Sequence, residues 1–132
     1  MEFEGYHITK AVYSTIEVNL PQGSEFELNP IFMRGIQKID DGHYLLSLGV
    51  QIGIEDNNNM PFAIELFIEG SFLLKNFENE EKAIKINAVA ILFPYLRSTL
   101  SMFTSLMNIN PIVLPTINLV KMFENEETGV IE

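Results

Sequence analysis

The chain has 132 residues, with two histidines, His7 and His43, 18 carboxylates and no cysteine. The missing cysteine excludes disulfides, thiol catalysis and Cys-ligated zinc together. His7 falls on a polar strand position and His43 at a turn, and neither has companion carboxylates at metal-ligand spacing. A structural or solvent role is the reading for both. Asp56-Asn57-Asn58-Asn59 has the look of a calcium loop, but no glycine stands at the bend and Met60-Pro61 replaces further ligands. A polar hairpin loop fits better. Glu65 and Glu69 share one strand face, but four residues of strand separate them by roughly 13 Å at ~3.3 Å per residue. That is too far for a cooperating acid pair, and an exposed acidic stripe is expected instead. No Gly-rich phosphate loop and no nucleophile elbow occurs. The sequence therefore predicts no enzyme, no metal and no cofactor.

Composition narrows the field further. Hydrophobic residues make up 47% and charged residues 20%, a globular composition. The 10 Phe, 4 Tyr and 6 Met are more apolar bulk than so short a chain readily hides, which points to oligomerisation, a greasy groove, or both. The formal net charge of −10 disfavours nucleic acid and anionic membrane and favours basic or unfolded partners. Met1-Glu2-Phe3-Glu4 lacks the cationic, apolar start of a signal peptide, so a cytoplasmic location is expected. The greasiest run, Ala88 to Phe93, falls well short of the ~20 residues of a membrane span.

These side chains need elements to hold them. An α+β domain is predicted, strands first and helices after. Tyr6, Ile8, Val12, Ile16, Val18 and Leu20 share one parity and predict a first strand buried on one face. Pro21-Gln22-Gly23-Ser24 reads as a turn, and a second strand follows from about Glu27 to Ile39. Asp40-Asp41-Gly42 signals a hairpin into a third strand, Tyr44 to Glu55, and the fourth covers Phe62 to Leu74. Four such strands make an antiparallel sheet with one dry face. Asn79 is a candidate N-cap for a long helix that Pro94 is expected to kink or break. Beyond Pro94, Leu96, Leu100, Phe103 and Met107 form an apolar face, flanked by Tyr95, Thr99, Met102 and Leu106, with Arg97, Ser101, Thr104 and Asn108 opposite. A short final helix is expected from about Ile117 to Phe123. Residues 1–124 read as one domain and 125–132 as a frayed acidic tail.

The segment Ile91-Leu92-Phe93-Pro94-Tyr95-Leu96-Arg97 resembles the I-L-F-P-Y-A-R stretch of the SecB chaperone family. Pro111 to Leu119 is similar to that family's P-x-L-x-L-x-P-V-N-F, and Met122-Phe123 follows as its L-F does. Gly70-Ser71-Phe72, Val12-Tyr13 and Pro21 carry the likeness upstream, so that it spans about residues 6 to 123. The resemblance implies four antiparallel strands followed by two helices, assembled as a homotetramer built from two dimers, with a dimer as the alternative. It implies an ATP-independent holdase for unfolded polypeptides in protein export. A peptide groove would take Tyr95, Phe103, Ile112, Val113 and Leu114. An acidic sheet face, with Glu65 and Glu17, would contact the translocation motor SecA. Longer family members end in a basic tail, whereas residues 124–132 here are acidic. That difference keeps a dedicated partner, such as the antitoxin of a toxin–antitoxin pair, open beside export. A structural oligomer of the same fold is the third reading.

Overall fold

A computed structural model describes residues 1–15, 30–53, 62–75 and 79–107. Four strands, β1 (Glu2–Thr15), β2 (Ile31–Asp40), β3 (His43–Ile52) and β4 (Phe62–Leu73), form one antiparallel sheet in the order β1-β4-β3-β2. The strands β2, β3 and β4 run as a meander. β1 lies on the far side of β4, so β1 and β2, neighbours in sequence, are the two opposite edges. One helix follows, α1 (Glu80–Leu106), built from an α-turn at Glu80–Lys82, a π-helical stretch at Ala83–Ala88 and an α-helix at Val89–Leu106. The expected final helix at 117–123 lies outside the described residues.

The alternation in the two central strands holds. Leu46, Leu48, Val50 and Ile52 from β3 and Ile64, Leu66, Ile68 and Phe72 from β4 point to the helix and are wholly buried. Against them α1 packs Ile84, Ala88, Val89, Leu92, Leu96 and Leu100. Asp41-Gly42 turns β2 into β3, with Gly42 at a φ of 76°, a left-handed conformation that glycine adopts without penalty. A side chain there would also strike the Leu74 carbonyl, which belongs to the residue that donates its N–H to the Gly42 carbonyl at 2.6 Å.

β1 departs from the simple parity. Two bulges, between Phe3 and Tyr6 and between Ile8 and Lys10, shift its register on β4. The residues opposite inward-facing β4 partners are therefore Phe3, Tyr6, Ile8, Ala11, Tyr13 and Thr15, whereas Val12 stands opposite Glu65 on the outer face. The expectation of a β1 face buried throughout also fails, because Tyr6, Ile8 and Val12 are all exposed.

Pro94 does not break the helix, which runs on from Val89 to Leu106. The carbonyl left without a donor lies one turn back, at Ala90, and both Ala90 and Pro94 are exposed, so water reaches it. The ladder is irregular instead upstream, in the π-helical stretch, where the buried Arg34 on β2 donates from Nη1 to the Lys85 carbonyl at 2.8 Å. By length and hydropathy α1 is long and apolar enough to cross a membrane, against the expectation drawn from its greasiest run. Its inner face, however, is spent on the sheet.

The start of α1 is pinned twice. Asn79 caps the helix by accepting from the Lys82 N–H at 3.1 Å. Tyr44, buried on β3, donates its hydroxyl to Glu80 at 2.5 Å. That hydrogen bond first, then burial and the surrounding carboxylates, pushes the Tyr44 phenol up to about 12 from 10. A phenol raised in the folded state stabilises fully below pH 10 and loses that contribution as pH climbs from 10 to 12. Tyr44→Phe is expected to cost about 1 kcal/mol at neutral pH. It should also shrink the loss of stability across that alkaline window, as read from urea unfolding midpoints; an unchanged alkaline profile would mean that the bond to Glu80 does not form.

Candidate functional site

Two surfaces flank the core, one on each side of the sheet. On the helix side, α1 lies over β3 and β4 and sends side chains to both flanks. Phe93 meets Phe32 of β2 edge-on at 5.8 Å between ring centroids. Tyr95 turns toward β1, 5.4 Å from Phe3 and 4.9 Å from Tyr6, and Phe3 in turn stacks on Phe72 at 5.1 Å. Ile91, Tyr95, Met102 and Leu106 follow one another along one stripe of the helix, and they are 38, 39, 64 and 73% exposed. Across from Tyr95, Tyr6 and Ile8 are 39% and 51% exposed on the inner face of β1. The result is an apolar shelf between the outer flank of the helix and an edge strand.

The polar stripe expected opposite the core is not a solvent face. Thr104 is fully buried, with its hydroxyl on the Leu100 carbonyl at 2.9 Å, and Arg97 and Ser101 are half-buried. The solvent-facing flank of α1 is thus greasier than its pattern suggested.

Of the groove residues read from the sequence, Tyr95 does stand on this shelf. Phe103 does not join it and packs half-buried against the core. Ile112, Val113 and Leu114 lie outside the described residues. Phe3, Tyr6, Ile8, Ile91, Met102 and Leu106 were missed as site residues. For Phe3 the two bulges concealed its face, while Met102 and Leu106 were already visible as flanks of an apolar stripe too wide for one core.

The outer face of the sheet is polar. Glu65 on β4 is held by Lys10 at 2.9 Å and by the Gln51 amide at 3.3 Å. Lys10, above all, keeps the Glu65 carboxyl below its ordinary range, with Gln51 assisting and burial opposing. Glu69, two residues along the same face, has the His7 ring 3.8 Å away. Glu17 lies outside the described residues. Between these carboxylates the Phe67 ring lies over Gly49, so closely that a side chain at Gly49 would collide with it. Phe67, the one aromatic on the polar parity of β4, is explained by that close approach.

At one end of this face His43, Ser71, Glu4 and Asp40 meet. The Ser71 hydroxyl donates to Glu4 at 3.0 Å and lies 2.8 Å from His43 Nε2, while Asp40 is 3.9 Å from Nδ1. The order Ser–His–Asp is superficially that of a nucleophilic triad, but the Ser71 hydroxyl donates to Glu4, and Asp40 at 3.9 Å stands beyond hydrogen-bond reach of the ring. The cluster clasps β1, β4 and the β2–β3 turn together, a structural role for His43.

Comparison with known proteins decides the family. The family model described as "Preprotein translocase subunit SecB" matches residues 19–129. The chain belongs to the SecB family. The protein-export protein SecB of Neisseria meningitidis is 28% identical over 114 residues, covering 84% of this chain and 77% of that one. The SecB of Magnetococcus marinus is 27% identical over 133 residues, covering 92% and 84%. An uncharacterised protein of Methanocaldococcus jannaschii is 47% identical, but over 58 residues covering only 39% and 37%. In fold, the chain is similar to the SecB-like chaperone of Mycobacterium tuberculosis in complex with a peptide from an antitoxin. The TM-score is 0.70 at 11% identity, over 88% of this chain and 90% of that one. SecB proteins are non-enzymatic chaperones, and membership bears out the expectation that this chain is not an enzyme.

The Lys10–Glu65 pair makes a direct prediction. A depressed carboxyl stabilises above its ordinary titration range and loses that contribution as pH falls through its folded value. In Lys10→Met, Glu65 should titrate at higher pH than in the parent when followed by carboxyl carbon NMR. Identical titration curves would show that Lys10 does not engage Glu65.

Proposed function

We propose that this SecB-family chain is an ATP-independent cytoplasmic holdase that keeps unfolded polypeptides from aggregating, in the service of protein export. The observation that carries the reading is the apolar shelf: Tyr95 with Phe3 and Tyr6, extended by Ile8, Ile91, Met102 and Leu106. Aromatic rings and a flexible thioether accept many side-chain shapes, which suits a binder of varied unfolded chains. The outer edge of β1 also offers backbone groups with which extended substrate can pair. Ile112, Val113 and Leu114 are proposed to extend the apolar surface, and Glu65 with Glu17 to form the face that meets SecA.

So exposed an apolar flank also suits a subunit interface, and a homotetramer built from two dimers is proposed. Light scattering should then give four times the 15.0 kDa chain mass at micromolar concentration. A 15.0 kDa species there would overturn the assembly.

The similarity in fold to a chaperone bound to an antitoxin peptide favours a second reading, a dedicated client such as an antitoxin. Co-purification from the native host separates the two: one dominant partner supports the dedicated role, and many unrelated clients support the general one.

The holdase reading is tested with Tyr95→Asp/Met102→Asp. Both positions are exposed, so the fold should survive. The double variant should lose most of its suppression of client aggregation, measured by turbidity without ATP at several-fold molar excess. Full protection by a variant whose assembly is intact would remove the shelf from the binding surface. No protection by the parent would end the holdase reading altogether.

A further inference from the structure

Helix α1 meets the sheet through every fourth residue. Glu80 accepts the Tyr44 hydroxyl, and Ile84, Ala88, Leu92, Leu96 and Leu100 follow it as buried side chains. An α-helix turns about 100° per residue, so each step of four gains about 40°. Over the steps from Glu80 to Leu100 that drift would reach about 200° and carry Glu80 to the far side of the helix. Glu80 is nevertheless docked on β3. The π-helical stretch at Ala83–Ala88 accounts for this, because its wider turn takes up one extra residue and so halves the drift.

Inside the stretch, one carbonyl marks where regular bonding gives way. In an α-helix the Lys85 carbonyl would accept from the Val89 N–H. Here that N–H turns to the Ile86 carbonyl. Arg34, only 5% exposed on the edge strand β2, donates Nη1 to the Lys85 carbonyl at 2.8 Å. Burying a guanidinium is unfavourable unless its donors are met. This one is aimed from the sheet at the point where the helix leaves its ordinary ladder.

We propose that Arg34 is a positioning residue and that the base of α1 is a ratchet with two positions. In one, Arg34 holds the extra residue in the π-helical turn, and Glu80 faces Tyr44. In the other, the extra residue is released at the helix start, the helix is α throughout, and Glu80 stands about 100° away from Tyr44. Arg34 and the Tyr44–Glu80 bond therefore favour the same position from two points on the helix. A step of this kind switches a packed element between discrete arrangements without continuous deformation. Leu92, Leu96 and Leu100 keep their places on β3 and β4 in both positions. The apolar shelf persists with them, so the ratchet does not rest on the holdase reading.

The test uses the full chain. Arg34→Met should speed amide hydrogen exchange at residues 83–88 about tenfold and leave residues 96–104 unchanged. Arg34 and Tyr44 pair in register with Leu48 and Lys38, four positions apart, roughly 13 Å at ~3.3 Å per residue and far enough for independent effects. The ratchet links them all the same. The effect of Arg34→Met/Tyr44→Phe on the unfolding constant, from urea titration, should fall short of the product of the single effects by about fivefold. Deleting Asn87, the exposed residue of the stretch, removes the extra residue. That variant should keep its fold, and in it the two effects should multiply to within about twofold. Deleting Ser98, exposed in the regular α-helix, should instead unfold the chain by turning Leu100 off the sheet. The two deletions can be compared whether or not Arg34→Met folds. Equal damage from both deletions, faster exchange spread evenly along α1, or multiplying effects in the parent would each overturn the proposal.

Discussion

One helix cannot cover four strands. An α-helix with its side chains is about 10–12 Å across, whereas four strands at ~4.8 Å spacing span nearly twice that. Leu92, Leu96 and Leu100 seal β3 and β4 completely, and this seal is the contact that everything else is arranged around. On the flanks the cover thins to single side chains, Phe93 toward Phe32 and Tyr95 toward Phe3 and Tyr6. The apolar shelf is the geometric remainder of that mismatch. Among the described residues the shelf stays open to solvent, and an exposed apolar surface of this kind is what gripping an unfolded chain requires.

The central half of the fold was legible because it is regular. β3 and β4 keep strict alternation, the Asp41-Gly42 turn has the chemistry its conformation demands, and Asn79 caps where the pattern put it. The edges were not legible, for specific reasons. A bulge inserts one residue and reverses the parity beyond it, so counting by twos along β1 assigned Val12 to the wrong face. Pro94 was expected to kink or break the helix, but with Ala90 exposed the freed carbonyl faces solvent, and the helix continues to Leu106. Thr104 reads as polar in a helical wheel, yet by bonding back to the Leu100 carbonyl its hydroxyl is made buriable. Of the site expectations, Tyr95 was visible by motif and stands on the shelf, and Glu65 with Glu69 was visible as an acidic pair on one strand face, whereas the exposure of Tyr6 and Ile8 on the inner side required the edge position of β1.

The second bulge of β1 links the two faces. In an unbroken strand Tyr6, Ile8 and Lys10 would all point inward, and an ammonium would sit at the edge of the apolar shelf. The extra residue, Thr9, donates its hydroxyl to the Phe67 carbonyl at 3.3 Å and turns Lys10 to the outer face, where it meets Glu65. The same step brings Ala11 and Tyr13 inward, so that Tyr13 stacks near Phe62 with ring centroids 6.1 Å apart. A single inserted residue therefore keeps the shelf apolar and gives Glu65 its cation on the outer face. Glu69, four residues further along β4, has among the described residues only the His7 ring at 3.8 Å, and the two faces of one small sheet differ in character: apolar beside the helix, polar and acidic on the outside.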